Sequence, residues 1–145
     1  MDFIVKKFEE LNTFELYEIL KVRSQVFVVE LKMNCQDMDG VDYSCYHLYL
    51  KEKEKIIAYM RMYFENKDSK CIHIGRVLTV ERGNGYAKAL MEKAIDYAQN
   101  VLFCNKICLN SQKQAVGFYE KMGFKATSGE FIEENVIHIS MELVL

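Results

Sequence analysis

The period of hydrophobic and polar positions changes several times along the chain, and each change marks an element. Residues 3–8 alternate well enough for a first strand. Asn12-Thr13 then offers an N-cap, with Leu16 as an apolar staple partner, to a helix predicted over residues 14 to about 29. Leu16, Ile19, Leu20, Val22 or Arg23, Val26 and Phe27 recur at helical spacing on its inner face. The polar stretch 30–42, with an Asp39-Gly40 turn, reads as a loop or as a helix with a loop. Residues 46–51 and 56–64 flank the charged Glu52-Lys53-Glu54-Lys55 and predict a hairpin; 71–80, reached through Asn66-Lys67-Asp68-Ser69, extends it to an antiparallel meander. Next comes a crossover helix with Ala87, Leu90, Met91, Ala94, Ile95 and Ala98 inward, and Lys88, Glu92, Lys93, Asp96 and Gln99 outward. Residues 107–109 make a short buried strand, parallel to the fourth if the crossover is right-handed. A helix over 112–122 ends at Gly123, and 124–131 with 136–143 form a last hairpin over Glu133-Glu134-Asn135. The expected fold is α/β, a mixed sheet of about seven strands with helices on both faces.

Composition narrows the function classes. A chain of 145 residues is expected to form one domain, 1–145, around a single core. Half its residues are hydrophobic and 28% are charged, which excludes a disordered chain. The net charge of −2 gives no case for nucleic acid as a partner. No apolar run reaches the length of a membrane span, and MDFIVKKFEE carries charges where a signal peptide needs an apolar core, so a cytoplasmic protein with no membrane partner is expected. Cys35, Cys45, Cys71, Cys104 and Cys108 are odd in number with no C-x-x-C pair, so neither disulfides nor zinc are indicated. Asp37-x-Asp39-Gly40 is too short for a calcium loop, and no metal is expected.

The candidate chemistry centres on RVLTVERGNGYAKALM, Arg76 to Met91. A β-branched strand breaks at Arg82-Gly83-Asn84-Gly85 and turns at once into a helix. Unpaired N–H groups at that helix start, backed by the helix dipole, make an anion site. The plainer reading is a tight connection that needs glycine for its backbone angles. The glycine spacing fits neither the phosphate-cradling nor the dinucleotide fingerprint. It does fit Arg82-x-x-Gly85-x-Ala87.

In that motif the chain resembles the GCN5-related N-acetyltransferase (GNAT) superfamily, whose [QR]-x-x-G-x-[GA] signature holds the pyrophosphate of acetyl-CoA. Arg23 with Val26-Phe27-Val28-Val29-Glu30, then Asp37-x-Asp39-Gly40-x-Asp42 and His47, resemble its ElaA-like branch, as does Ala115-x-x-Phe118-Tyr119-x-x-x-Gly123-Phe124 the superfamily's helix after the fifth strand. Leu31 stands where that branch has glutamine, and Gln112 where an asparagine is usual.

The resemblance implies a GNAT-type fold whose sheet splays between strands four and five. It implies acetyl-CoA as cosubstrate, its pyrophosphate on the N–H groups of Gly83, Asn84, Gly85, Tyr86 and Ala87 beside Arg82, its pantetheine arm on the backbone of Leu78 and Val80, with Gln112 and Ala115 nearby. Tyr119 would protonate the departing thiolate, although an aromatic residue on a helix is also simply a core ring. For the base, and for contacts to a small-molecule or peptide amine acceptor, the candidates are Glu30, His47, His73 and His138; a lone strand histidine is more often structural. Arg61 and Arg76, if buried, must pair with Glu30 and the aspartate loop or receive an acidic acceptor. The expected activity is acetyl transfer to a primary amine, with a non-catalytic acyl-CoA sensor or an interaction domain as the alternatives. The strand at 136–143 could pair between subunits as a homodimer. Only Glu81 separates Val80 from Arg82, where the enzymes it resembles usually have a couple more residues before the arginine, so the resemblance implies a fourth strand that ends abruptly or runs one step out of its usual register.

Overall fold

Burial along the longest strand shows how the layers arise. The computed structural model describes residues 1–66 and 68–145; Lys67, in the connection between the third and fourth strands, lies outside the described residues. In β3 (Lys55–Phe64), Ala58, Met60 and Met62 face one cluster of apolar side chains and Tyr59 the other, the period-two alternation of a strand buried on both sides. β1 (Asp2–Lys7), β2 (Tyr46–Glu52), β3 and β4 (Cys71–Thr79) form an antiparallel run. β5 (Lys106–Gln112) joins β4 in parallel, and β8 (Val136–Val144) joins β5 antiparallel. The sheet order is β1-β2-β3-β4-β5-β8, with β6 (Lys125–Ala126) and β7 (Phe131–Glu133) both on β8. Among the described residues there are eight strands rather than about seven, because the first arm of the last hairpin is divided into these two short pieces.

α2 (Tyr86–Asn100) crosses from β4 to β5 and buries Leu90, Met91, Ala94 and Ala98 against Leu48, Met60, Ile72 and Ile107, as its periodicity predicts. The opposite face carries α1 (Thr13–Arg23), opened by a capping box in which Asn12 accepts from the Glu15 amide at 2.8 Å and Glu15 accepts from the Asn12 amide at 3.0 Å. The expected helix to about residue 29 is α-helical only to Arg23. Ser24–Glu30 widens to π geometry, and the Leu31 amide donates five residues back, to the Val26 carbonyl at 3.0 Å. Arg23, Val26 and Phe27 are buried there, beside Tyr59 and Leu78.

Two further boundaries differ from the sequence reading. β5 continues through the polar Asn110, Ser111 and Gln112, because these pair with Ser140, Ile139 and His138 of β8. The helix that follows, α3 (Val116–Lys121), is correspondingly short and is followed by Gly123 at φ +101°.

Candidate active site

β4 and β5 pair only at Cys71–Lys106, Ile72–Ile107 and His73–Cys108. Beyond His73 the two strands diverge. The divergence coincides with a β-bulge: Tyr59 faces Leu78 and Arg61 faces Gly75, so Met60 alone stands opposite Arg76 and Val77. Arg76 has a left-handed φ of +54°, held by its guanidinium on Asp37, where Nε donates to Oδ1 at 2.8 Å and Nη2 to the main-chain carbonyl at 2.9 Å. Beyond the bulge the strand's faces are exchanged, and Leu78 packs on the α1 side whereas Ile72 and Ile74 pack on the α2 side.

The bulge corrects the expected pairing groups. The Val80 amide donates to the Ile57 carbonyl at 3.0 Å, so Val80 and, two residues back, Leu78 turn their main-chain groups toward β3. Val77 and Thr79 are the residues whose groups face the open edge. The strand itself ends at Thr79, the abrupt end that the short connection to Arg82 called for.

The turn beyond it leads into α2 through two glycines. Gly83 (φ +82°) and Gly85 (φ +73°) take left-handed angles, and a Cβ at either would meet nothing within 4 Å, so conformation and not crowding requires glycine there. The first amide bonded within α2 is that of Ala89, to the Gly85 carbonyl at 3.1 Å, which leaves the N–H groups of Tyr86, Ala87 and Lys88 without an intrahelical acceptor. Asn84 is tied to Glu81 at 3.0 Å, and Arg82 folds back on Thr79, its Nη1 3.2 Å from the hydroxyl and 3.3 Å from the carbonyl oxygen.

Between the diverging strands lies a cavity of about 610 Å³ that Arg82, Val77, Gln112, Ala115 and Tyr119 all line. Gln112 accepts from Gln114 at 2.6 Å and points its amide at Met33 Sδ across the cavity at 4.0 Å. Tyr119 is 7% exposed, with its ring edge-on to Phe118 and Phe124, so it is a core aromatic and a cavity residue at once. Its hydroxyl has no hydrogen-bond partner among the described residues, and burial pushes its pKa up to about 12. It is therefore a phenol that stays protonated at neutral pH.

The floor of the cavity toward α1 is ionic. Arg23, fully buried, donates to Asp42 at 2.7 and 3.2 Å and to Asp37 at 3.1 Å. Arg61 donates to Asp39 at 2.7 and 2.9 Å and to Asp42 at 3.0 Å, and Arg76 reaches Asp37 and Asp39. Three arginines thus meet three aspartates. Burial works against charge on Asp42, but Arg23 and Arg61 outweigh it and hold its carboxyl below the usual range; hydrogen bonds from Arg61 do the same for Asp39. Arg61 and Arg76 line the cavity, yet both are paired with the aspartate loop, Arg61 through its two Nη groups while its buried Nε has no partner among the described residues, so they build the wall.

The four candidate bases separate. His47 is fully buried, with Nδ1 at 2.7 Å from the Tyr59 hydroxyl and Nε2 at 3.0 Å from the Asp42 carbonyl; burial lowers its pKa and it does not line the cavity. It is structural, not substrate-binding. Glu30 ends the π segment on the surface, beside Gln25, and does not line the cavity either; Leu31 does. His73 lines the cavity, stacked on Tyr63, with Nε2 3.3 Å from Glu65. His138 lines it as well: Nδ1 is 2.8 Å from the Val136 carbonyl, which can only accept, so that nitrogen carries a proton and Nε2 is the basic atom of the neutral ring, 4.0 Å from Glu133. Glu133 and Glu134, read from sequence only as a hairpin tip, are cavity residues because β7 and β8 fold that tip over it.

Residues 20–145 match the family of acetyltransferase (GNAT) domains. A UPF0039 protein of Schizosaccharomyces pombe is 36% identical, the match covering all of this chain and 98% of that protein. Protein ElaA of Escherichia coli is 30% identical over 91% of this chain and 89% of its own length. Among solved structures, an acyl-CoA N-acyltransferase from Pseudomonas aeruginosa superposes with a TM-score of 0.91 at 29% identity, covering 99% of this chain and all of that one. E. coli ElaA superposes with a TM-score of 0.90, covering 98% of both chains.

Proposed function

From the premise that this chain belongs to the GNAT acetyltransferase family, on its ElaA-like branch, we propose that it moves an acetyl group from acetyl-CoA directly to a primary amine within a ternary complex. The observation that carries this reading is one continuous surface. The edge of β4 at Val77 opens on a cavity of about 610 Å³ whose lining runs from Arg82, in the turn before α2, to the side chain of the buried Tyr119.

Acetyl-CoA supplies the thioester carbonyl and the thiolate leaving group. The chain's own groups do the rest. The amides at the start of α2, with Arg82, hold the pyrophosphate, and the left-handed angles of Gly83 and Gly85 shape the turn that presents them. The edge of β4 turned away from β3 takes the pantetheine amides as an added strand would, with Arg82 releasing the Thr79 carbonyl as it turns to the pyrophosphate. The Tyr119 phenol donates its proton to the thiolate. Nε2 of His138, with Nδ1 fixed on Val136, accepts the proton of the incoming amine, directly or through water. The arginines of the cavity wall are matched by aspartates, whereas Glu133 and Glu134 stand at the rim, an arrangement that suits an amine carrying a further positive charge, free or in a peptide.

Calorimetry with acetyl-CoA, followed by thiol release against a panel of mono-amines, diamines and lysine peptides, tests the proposal. Binding accompanied by release for a cationic amine supports it. Binding without release for any amine favours a sensor on the same fold, a reading that Leu31 in the cavity wall, in place of a polar residue, keeps in view.

A further inference from the structure

Cys71 and His73 project from the same side of β4, opposite the core-facing Ile72 and Ile74, and the parallel pairing sets Cys108 of β5 directly across from His73. Their ligand atoms, two thiol sulfurs and one imidazole nitrogen, lie within 4.8 Å of one another. All three side chains are half-buried, and His73 and Cys108 border a second cavity, of about 350 Å³, on the far side of the seam from the α2 core. Neither cysteine has a role in the acyl-transfer chemistry.

We infer that Cys71, His73 and Cys108 form a site for one thiophilic divalent cation of the zinc class. Tetrahedral zinc with bonds of about 2.3 Å to sulfur and about 2.0 Å to nitrogen sets its ligand atoms about 3.6–3.8 Å apart, so the trio closes on the ion by about 1 Å, within the reach of side-chain rotation. Two thiolates and one imidazole carry the softness that favours zinc over calcium or magnesium. The second cavity leaves room for a fourth ligand, water or a small thiol. Glu65, 3.3 Å from Nε2 of His73, orients the ring as carboxylates beside metal-bound histidines do, leaving Nδ1 for the ion. Glu142, opposite Cys108, is already paired with Lys106 at 3.3 Å. The sequence spacing hides the trio, because the α2 crossover alone brings Cys108 to Cys71-x-His73. An ion there fastens β4 to β5 at the closed end of the splay.

Equilibrium dialysis of the reduced full chain against zinc, and titration with cobalt(II) as a spectroscopic substitute, test the site. One ion per chain is expected, with sulfur-to-cobalt charge-transfer absorption and a thermal midpoint that rises with zinc. Cys71→Ser and Cys108→Ser should each weaken binding by about 100-fold or more, and Glu65→Gln by about 10-fold or more. Cys35→Ser and Cys104→Ser should leave it unchanged. Substoichiometric uptake, cobalt spectra without thiolate bands, or affinity unchanged in Cys71→Ser and Cys108→Ser would overturn the inference. The wild-type cobalt spectrum decides the matter even if a serine variant folds poorly.

Discussion

Replacing Asp42 by alanine removes the shared anion of two buried arginines. Asp42 accepts three charge-assisted bonds, two from Arg23 at 2.7 and 3.2 Å and one from Arg61 at 3.0 Å. At about 1.5–3 kcal/mol for each bond to a charged group, their gross worth is about 4.5–9 kcal/mol. The loss is smaller than that sum, because Arg23 keeps Asp37 at 3.1 Å and Arg61 keeps Asp39 at 2.7 Å. What remains is a guanidinium fully out of water with half its partners gone, and breaking a buried pair from one side costs about 3–5 kcal/mol. That is a large share of the ordinary stability of a domain, about 5–15 kcal/mol. In urea, with a slope near 2 kcal/mol/M, the midpoint should fall by about 2 M with the slope unchanged. Arg61 and Arg76 hold the loop that walls the cavity, so acceptor binding should weaken in the folded fraction too. A midpoint shift below about 0.5 M would refute the view that Asp42 anchors the buried ion network.

Other outcomes follow from the same geometry. Gly85→Ala forces a β-carbon into φ +73°, at a cost of about 1–2 kcal/mol, and should raise the KM for acetyl-CoA more than it lowers kcat, measured by thiol release. Stability should decline with acid in two stages, followed by urea midpoints across the range. Burial holds the folded pKa of His47 below its ordinary value, so its contribution is present above about pH 6.5 and is lost as pH falls through the lowered value; Asp39 and Asp42, also lowered, lose theirs only below about pH 4. His47→Gln should abolish the first stage while retaining the second. His138→Asn should lower kcat by about 10²-fold or more in amine-dependent thiol release while leaving the KM for acetyl-CoA nearly unchanged.

What could be read from the sequence was what neighbours along the chain decide. The strand-turn-helix at Val77 to Met91 and the inner face of α2 follow from local periodicity, and the capping box at Asn12 from two residues three apart. The bulge escaped because Arg76 is not a residue type that signals a left-handed angle; contacts to Asp37, far along the chain, hold it there. That displacement moved the proposed pantetheine-pairing groups from Leu78 and Val80 to Val77 and Thr79. Polar Asn110 to Gln112 did not look like strand because their pairing comes from β8. Among the histidines, sequence could not distinguish His47, satisfied on both ring nitrogens, from His138, satisfied on one and open to the cavity on the other. The ionic wall was anticipated only as one alternative, because a buried arginine announces a partner without saying which carboxylate supplies it.

The most direct test of acyl transfer along this surface compares wild type with Tyr119→Phe in acetyl-CoA calorimetry and in amine-dependent thiol release. The ring's packing on Phe118 and Phe124 survives that change and only the protonated hydroxyl is lost. The predicted result is a dissociation constant unchanged within about twofold and a kcat lower by about 10²–10⁴-fold, the usual worth of a positioned acid. Full turnover by Tyr119→Phe, or no thiol release by wild type with any amine, would contradict the account.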